Sequence, residues 1–232
     1  MSVVPYSERG LTLQALPVPE HFETCLYCSY SIEQSVGDLM VVLDTLSISN
    51  NNDDNKYNKV HLLGHSYGGC LAYEFAKQHP ECVQSLILSN APTNMKVAGQ
   101  AYDRLTLQNP LTFWKQHVCQ ISNTPALDDA MKHVGSVWAT MDVVQDYVAL
   151  PPSSPPSSSF PFQTLVINCP KDFAFESARG WKDVLASSAQ EDNKEHVVEE
   201  VLLEQCAHYP HLEDGPAYGR ILDTFLASTD GS

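Results

Sequence analysis

A serine becomes a nucleophile when a base takes its proton and a backbone turn lifts its hydroxyl clear of its neighbours. The stretch from Lys59 to Pro92, KVHLLGHSYGGCLAYEFAKQHPECVQSLILSNAP, offers such a turn at Ser66. It reads as a short apolar strand from Val60 to Leu63, then Gly64-His65-Ser66-Tyr67-Gly68-Gly69. A helix with Leu71 and Phe75 at i,i+4 spacing follows, and a second strand runs from Cys82 to Ser89. Gly-x-Ser-x-Gly on a sharp strand-to-helix turn exposes the hydroxyl, with Gly64 and Gly68 letting neighbouring elements close around it. The same turn aims the Tyr67 backbone N–H toward the place where a carbonyl oxygen would become negative. The chemistry open to Ser66 is attack on the carbonyl of an ester or amide.

The serine needs a histidine base, and the histidine needs a carboxylate to hold its tautomer. Thr164-Leu165-Val166-Ile167-Asn168 has the pattern of a buried strand, and Asp172 lies in the loop just past it, after Cys169-Pro170-Lys171. Val201-Leu202-Leu203 is a second short strand candidate, followed by Gln205-Cys206-Ala207-His208-Tyr209-Pro210. Loops past strand ends are where open α/β sheets bind ligands. The order Ser66, Asp172, His208 is that of α/β-hydrolases rather than of chymotrypsin or subtilisin. Among nine histidines, the rivals of His208 are His61 within a strand, His65, expected to face away from the site, and His211, expected to open the last helix. Asp142 and Asp146 compete with Asp172 but do not follow a buried strand.

From Val3 onward the chain resembles the α/β-hydrolase superfamily, in the branch that holds proline iminopeptidases and related aminopeptidases. Val3-Val4-Pro5-Tyr6-Ser7-Glu8-Arg9-Gly10 resembles the strand and Asp-x-Arg-Gly turn of that branch, with Ser7 or Glu8 near the usual aspartate. Tyr30-Ser31-Ile32-Glu33 resembles the start of its next helix, and Ala207-His208-Tyr209-Pro210-His211-Leu212-Glu213 its histidine loop. The resemblance implies a mostly parallel sheet flanked by helices, with a helical cap inserted over the nucleophile. In that fold a second oxyanion donor comes from a His-Gly loop after the third strand, and this sequence has no His-Gly dipeptide. Val3 would open the fourth strand. The expectation is an N-terminally incomplete form of the fold.

Four segments are expected: residues 1–92 with the elbow, a helical cap insertion over 93–150, a Pro/Ser-rich linker over 151–161, and the C-terminal core over 162–232. Upstream of the elbow, Ile32, Val36, Leu39, Leu43 and Leu46 have helical spacing with Ser31 as N-cap, and NNNDDNKYN from Asn50 to Asn58 is a polar loop. In the insertion, Leu111, Phe113, Trp114, Val118, Val134, Val137, Trp138, Val144 and Tyr147 predict short helices with apolar faces.

At 232 residues with 43% hydrophobic content, one sizeable core is available. A net charge of −15 opposes contact with a nucleic-acid backbone, and no stretch has the ~20 apolar residues of a membrane span. The expected location is therefore cytoplasmic, the acidic residues from Glu191 to Asp214 a solvated surface, and the oligomeric state open. Of seven cysteines, Cys25 and Cys28 form a C-x-x-C without a second ligand pair, so no metal is assigned, and the chemistry needs no cofactor. Aminopeptidases of the resembling branch hold the substrate amine with cap glutamates, and none lies between Pro92 and Phe160. The favoured expectation is a hydrolase of a small-molecule carboxylic ester or amide. An aminopeptidase, a thioesterase or acyltransferase, and a catalytically impaired binding protein remain alternatives.

Overall fold

The computed structural model describes residues 31–46, 59–122, 124–132, 144–152, 160–186 and 197–230. Helix α1 (Ile32–Thr45) is set by reciprocal bonds at its start, the Gln34 N–H donating to Ser31 Oγ and the Ser31 N–H to Gln34 Oε1. Its Val36, Leu39 and Leu43 face is buried. Strand β1 (Val60–His65) turns at Ser66 into α2 (Tyr67–Gln78), and β2 (Val83–Ser89) follows a 3₁₀ turn at Pro80–Cys82. The chain then runs through α3 (Met95–Gln108), a π-helical turn at Trp114–Val118 and α4 (Pro125–Lys132) before returning as β3 (Gln163–Asn168). Short helices α5 (Phe175–Ala178) and α6 (Trp181–Ala186), strand β4 (Val198–Leu202), α7 (Pro210–Glu213) and the long α8 (Gly215–Asp230) complete it.

The four strands among the described residues are all parallel, in the order β1-β2-β3-β4. A parallel sheet needs cover on both faces, and strand alternation supplies two apolar surfaces. Leu86, Leu88 and Val166 pack with Leu71, Phe75, Trp181 and Leu185 and with the buried face of α1, while Ile87, Leu165 and Ile167 pack against Tyr218, Phe225 and Leu226 of α8. Because the strands run the same way, the segments following all four open on one rim. Ser66, Asn90, Asp172 and His208 all stand in those segments.

Several expectations are corrected. The last strand starts at Val198 rather than Val201, with Glu199 and Glu200 exposed on it, because β4 ends the described sheet and has one neighbour, leaving little apolar pattern to read. His211 sits in α7 and not at the start of the last helix. In the insertion Phe113, Val118 and Val144 are buried as an apolar face requires, but Leu111 is 98% exposed. Val3 to Gly10, Cys25, Cys28, Asn50 to Asn58, Val134, Val137, Trp138, Asp142 and most of the 151–161 linker lie outside the described residues. Among the described residues Cys70, Cys82, Cys119, Cys169 and Cys206 are buried free thiols, and no helix is long and apolar enough to cross a membrane.

Candidate active site

The turn after β1 puts Ser66 at φ 54, ψ −127, backbone that a residue with a Cβ rarely adopts. Two bonds hold it there: the Ser66 N–H donates to Ser89 O, and the Gly69 N–H to Ser66 O, both 2.9 Å. A Cβ at Gly64 would lie 2.2 Å from Gly68 O, and one at Gly69 would lie 2.3 Å from the Ala91 Cβ. At Gly68, nothing among the described residues lies within 4 Å of the added atom. Close packing therefore requires Gly64 and Gly69 rather than Gly64 and Gly68, because Ala91, in the loop after β2, fills the space beside Gly69. Gly69→Ala should lower stability by about 1–3 kcal/mol through overpacking, while Gly68→Ala should be neutral or slightly stabilising within α2. Chemical denaturation of the two variants checks this, and equal losses would contradict it.

Ser66, His208 and Asp172 come together although 106 and 36 residues separate Ser66 from Asp172 and Asp172 from His208 in the chain. His208 Nε2 stands 3.0 Å from Ser66 Oγ, and its Nδ1 lies 2.9 and 3.0 Å from the two Asp172 oxygens. His208 and Asp172 are 5% and 4% exposed. The carboxylate favours a proton on Nδ1, which leaves the Nε2 lone pair facing the serine hydroxyl. Asp172 is itself fixed by the Ala174 N–H, which donates to Oδ1 at 2.9 Å. Tyr67 opens α2 directly after Ser66, so its backbone amide belongs to the first helical turn, where N–H groups have no helical acceptor.

The backbone of His208 is anchored from three directions. Its N–H donates to Val118 O at 3.0 Å, and its carbonyl accepts from Asn90 Nδ2 at 3.2 Å and His65 Nε2 at 2.6 Å. The π-helical turn containing Val118 also grips the aspartate loop: His117 Nδ1 donates to Lys171 O at 2.8 Å, and the Phe173 N–H to His117 O at 3.2 Å. Glu213 accepts from the Ala207 and Tyr209 N–H groups, each at 3.0 Å, and from Gln120 Nε2 at 2.9 Å. That carboxylate braces the histidine loop instead of belonging to a solvated surface, a role visible only once α7 folds back over the loop.

His65 does not face away. Its ring centroid lies 4.8 Å from that of His208, 5.2 Å from Tyr209 and 5.0 Å from His211. The histidine loop folds across the end of β1 and meets it. Desolvation, with the adjacent His208 and His211, holds the His65 proton affinity well below the ordinary value near 6.5, so the ring is neutral with its proton on Nε2. The unfolded chain takes up a proton as pH falls through about 6.5 while the folded His65 does not, so stability drops below that pH by up to about 1.4 kcal/mol per unit. His65→Gln, which keeps a donor, is expected to flatten this slope by about one proton when unfolding is measured from pH 7 to 5.

Two rival constellations are placed elsewhere. His61 bonds Ser85 Oγ through Nδ1 at 2.7 Å and Asp230 through Nε2 at 2.9 Å, another Ser-His-Asp chain. Ser85 is fully buried inside β2, without the strand-end turn that presents Ser66, so no substrate reaches it. Asp146 is exposed at a turn before Val148.

A parallel sheet whose strand-to-helix turn presents a serine to a buried histidine and aspartate defines the α/β-hydrolase class. A family model described as the alpha/beta hydrolase fold matches residues 48–158. The chain is 37% identical over 76 residues, 33% of its length, to a protein of Bacillus subtilis (strain 168) assigned as a 2-succinyl-6-hydroxy-2,4-cyclohexadiene-1-carboxylate synthase. It is 33% identical over 89 residues, 38% of its length, to Epoxide hydrolase 1 of Caenorhabditis elegans. These segments span 24% and 18% of the two curated relatives. The solved proline iminopeptidase of Mycobacterium smegmatis shares the fold at a TM-score of 0.62 and 18% identity, over 87% of this chain and 73% of that one. The chain has the α/β-hydrolase fold.

Proposed function

We propose that the chain is a serine hydrolase that cleaves a carboxylic ester or amide through an acyl-enzyme on Ser66. The observation that carries this reading is the 3.0 Å contact from Ser66 Oγ to a histidine whose other nitrogen is held by a buried carboxylate. His208 takes the Ser66 proton as Oγ bonds to the carbonyl carbon, and the Tyr67 N–H stabilises the oxygen that becomes negative. As the C–O or C–N bond breaks, His208 passes the proton to the leaving alcohol or amine. A water molecule then attacks the acyl carbon with His208 again as base, and the acid departs as Ser66 regains its proton. The sequence from 93 to 150 acts as a cap over this site, between core segments 1–92 and 162–232 joined by the 151–161 linker.

An ester with an apolar group is favoured over an aminoacyl amide. Among the described residues of the insertion, Asp103, Asp128, Asp129 and Asp146 are all exposed, whereas an amine-binding carboxylate has to face the nucleophile; Asp142 lies outside the described residues. The side of His208 toward the insertion is aromatic: Phe173 lies 4.7 Å from it between ring centroids, and Tyr102 stands 5.3 Å beyond Phe173. Fluorophosphonate labelling with peptide mapping tests the nucleophile, and turnover of short p-nitrophenyl esters against aminoacyl-p-nitroanilides tests the substrate class. A single adduct at Ser66 with faster ester cleavage is expected. A folded chain that takes no label would make it a binding protein on a hydrolase scaffold, and faster anilide cleavage would make it an aminopeptidase.

A further inference from the structure

The last residue of β2 and the one after it touch the backbone around every member of the Ser66-His208-Asp172 chain. Ser89 O accepts the Ser66 N–H at 2.9 Å, and the Asn90 N–H donates to Ile167 O at 2.8 Å, in the strand that leads to Asp172. The Asn90 side chain spans the other two loops. Its Oδ1 accepts the Cys169 N–H at 2.9 Å, at the base of the aspartate loop, and its Nδ2 donates to Ala207 O at 2.9 Å and His208 O at 3.2 Å. Asn90 is 0% exposed and stands at φ 45, the only non-glycine besides Ser66 with positive φ among the described residues. Asparagine tolerates this left-handed backbone better than most residues, and its carboxamide carries an acceptor and two donors on one rigid plane. Both ends are in use here. A side chain with only an acceptor or only a donor would leave one loop untied and a buried backbone group without its bond.

We infer that Asn90 is a positioning residue of the active site, fixing the His208 loop against the Asp172 loop so that the imidazole stays aligned with both carboxylate and serine. This rests on Ser66 being the nucleophile. Its role is distinct from bulk stability, because the bonded groups are the main chain of the base itself and of the strand end that carries its partner. Misplacement of a reacting group by about 1 Å can lower rates on the order of 10²-fold, so a shift of that size in a loop released at one end is enough to be read.

The test compares wild type with Asn90→Gly, which suits φ 45 and deletes the carboxamide, and with Asn90→Asp, which keeps the shape and the acceptor for the Cys169 N–H but loses the amide donors. Leu43→Ala, a core truncation in α1 remote from these loops, controls for lost stability. Two readouts are taken below the unfolding range of every variant: the rate of fluorophosphonate labelling at Ser66, and the downfield proton resonance of a histidine Nδ1–H held by a carboxylate. The expected result is labelling about 10²-fold slower in both Asn90 variants with the downfield resonance broadened or lost, and wild-type values for both in Leu43→Ala. If either folded Asn90 variant keeps the wild-type labelling rate and resonance, the positioning role is overturned while the Ser66 reading stands. If Leu43→Ala loses as much as the Asn90 variants, the effect is general stability and the role is likewise overturned. Wild-type protein that takes no label at Ser66 overturns both.

Discussion

Ser66→Ala is expected to reduce kcat for ester hydrolysis by about 10⁶-fold, since deletion of the nucleophile in a serine–histidine mechanism removes nearly all that the constellation contributes. Substrate binding should change little, because Oγ forms its bond only as the reaction proceeds. The same position makes a separate prediction about stability. Ser66 is held at φ 54, and such backbone costs roughly 1–3 kcal/mol for a residue with a Cβ. Alanine keeps the Cβ and therefore the strain, whereas glycine adopts this backbone freely but gains about 0.5–1 kcal/mol of freedom in the unfolded chain. Ser66→Gly should thus be as inactive as Ser66→Ala yet more stable by about 1 kcal/mol. Steady-state turnover and denaturant unfolding of the pair decide it. Retention of a substantial fraction of wild-type turnover in either variant would remove Ser66 from the mechanism.

Asp172→Asn is expected to lower kcat by about 10⁴-fold with the fold intact. The side chain is fully enclosed, and its Oδ1 already accepts the Ala174 N–H, so the amide oxygen of an asparagine is drawn to that donor. Its NH₂ then faces His208 Nδ1, which can only accept, and the ring proton moves to Nε2. There it confronts the Ser66 hydroxyl as a donor, and general-base catalysis stops. Asp172→Ala would mix this effect with a cavity, so asparagine is the sharper variant. A loss confined to KM would mean that Asp172 orients substrate instead of the base. No measurable loss would point to another carboxylate as the partner of His208.

Local pattern accounts for the elements that carry these residues. The Ser31 cap and the i,i+3/i,i+4 apolar spacing specify α1, and the apolar runs Leu86-Ile87-Leu88 and Leu165-Val166-Ile167 specify strands covered on both faces. The candidate residues Ser66, Asp172 and His208 could be picked out because each follows a strand end, where a parallel sheet gathers its loops. The strand β4 was blurred because among the described residues it has a neighbour on only one side and carries two exposed glutamates.

What the sequence by itself determined is the main strands and helices, the strand ends that carry the candidate nucleophile, acid and base, and the elbow with its strained serine, since each of these depends on residues close together in the chain. Tertiary structure alone decided which glycine of the elbow must lack a Cβ, that His65 turns toward His208, that Glu213 braces the histidine loop and that Asn90 ties the loops of Asp172 and His208 together. Each of those depends on a partner 22 to 143 residues away, or, for Glu213, on α7 turning back over its own loop. Hydrophobic periodicity records which face of an element is buried. It does not record which polar group from another strand end meets it there, and only the folded sheet brings those groups within hydrogen-bonding distance.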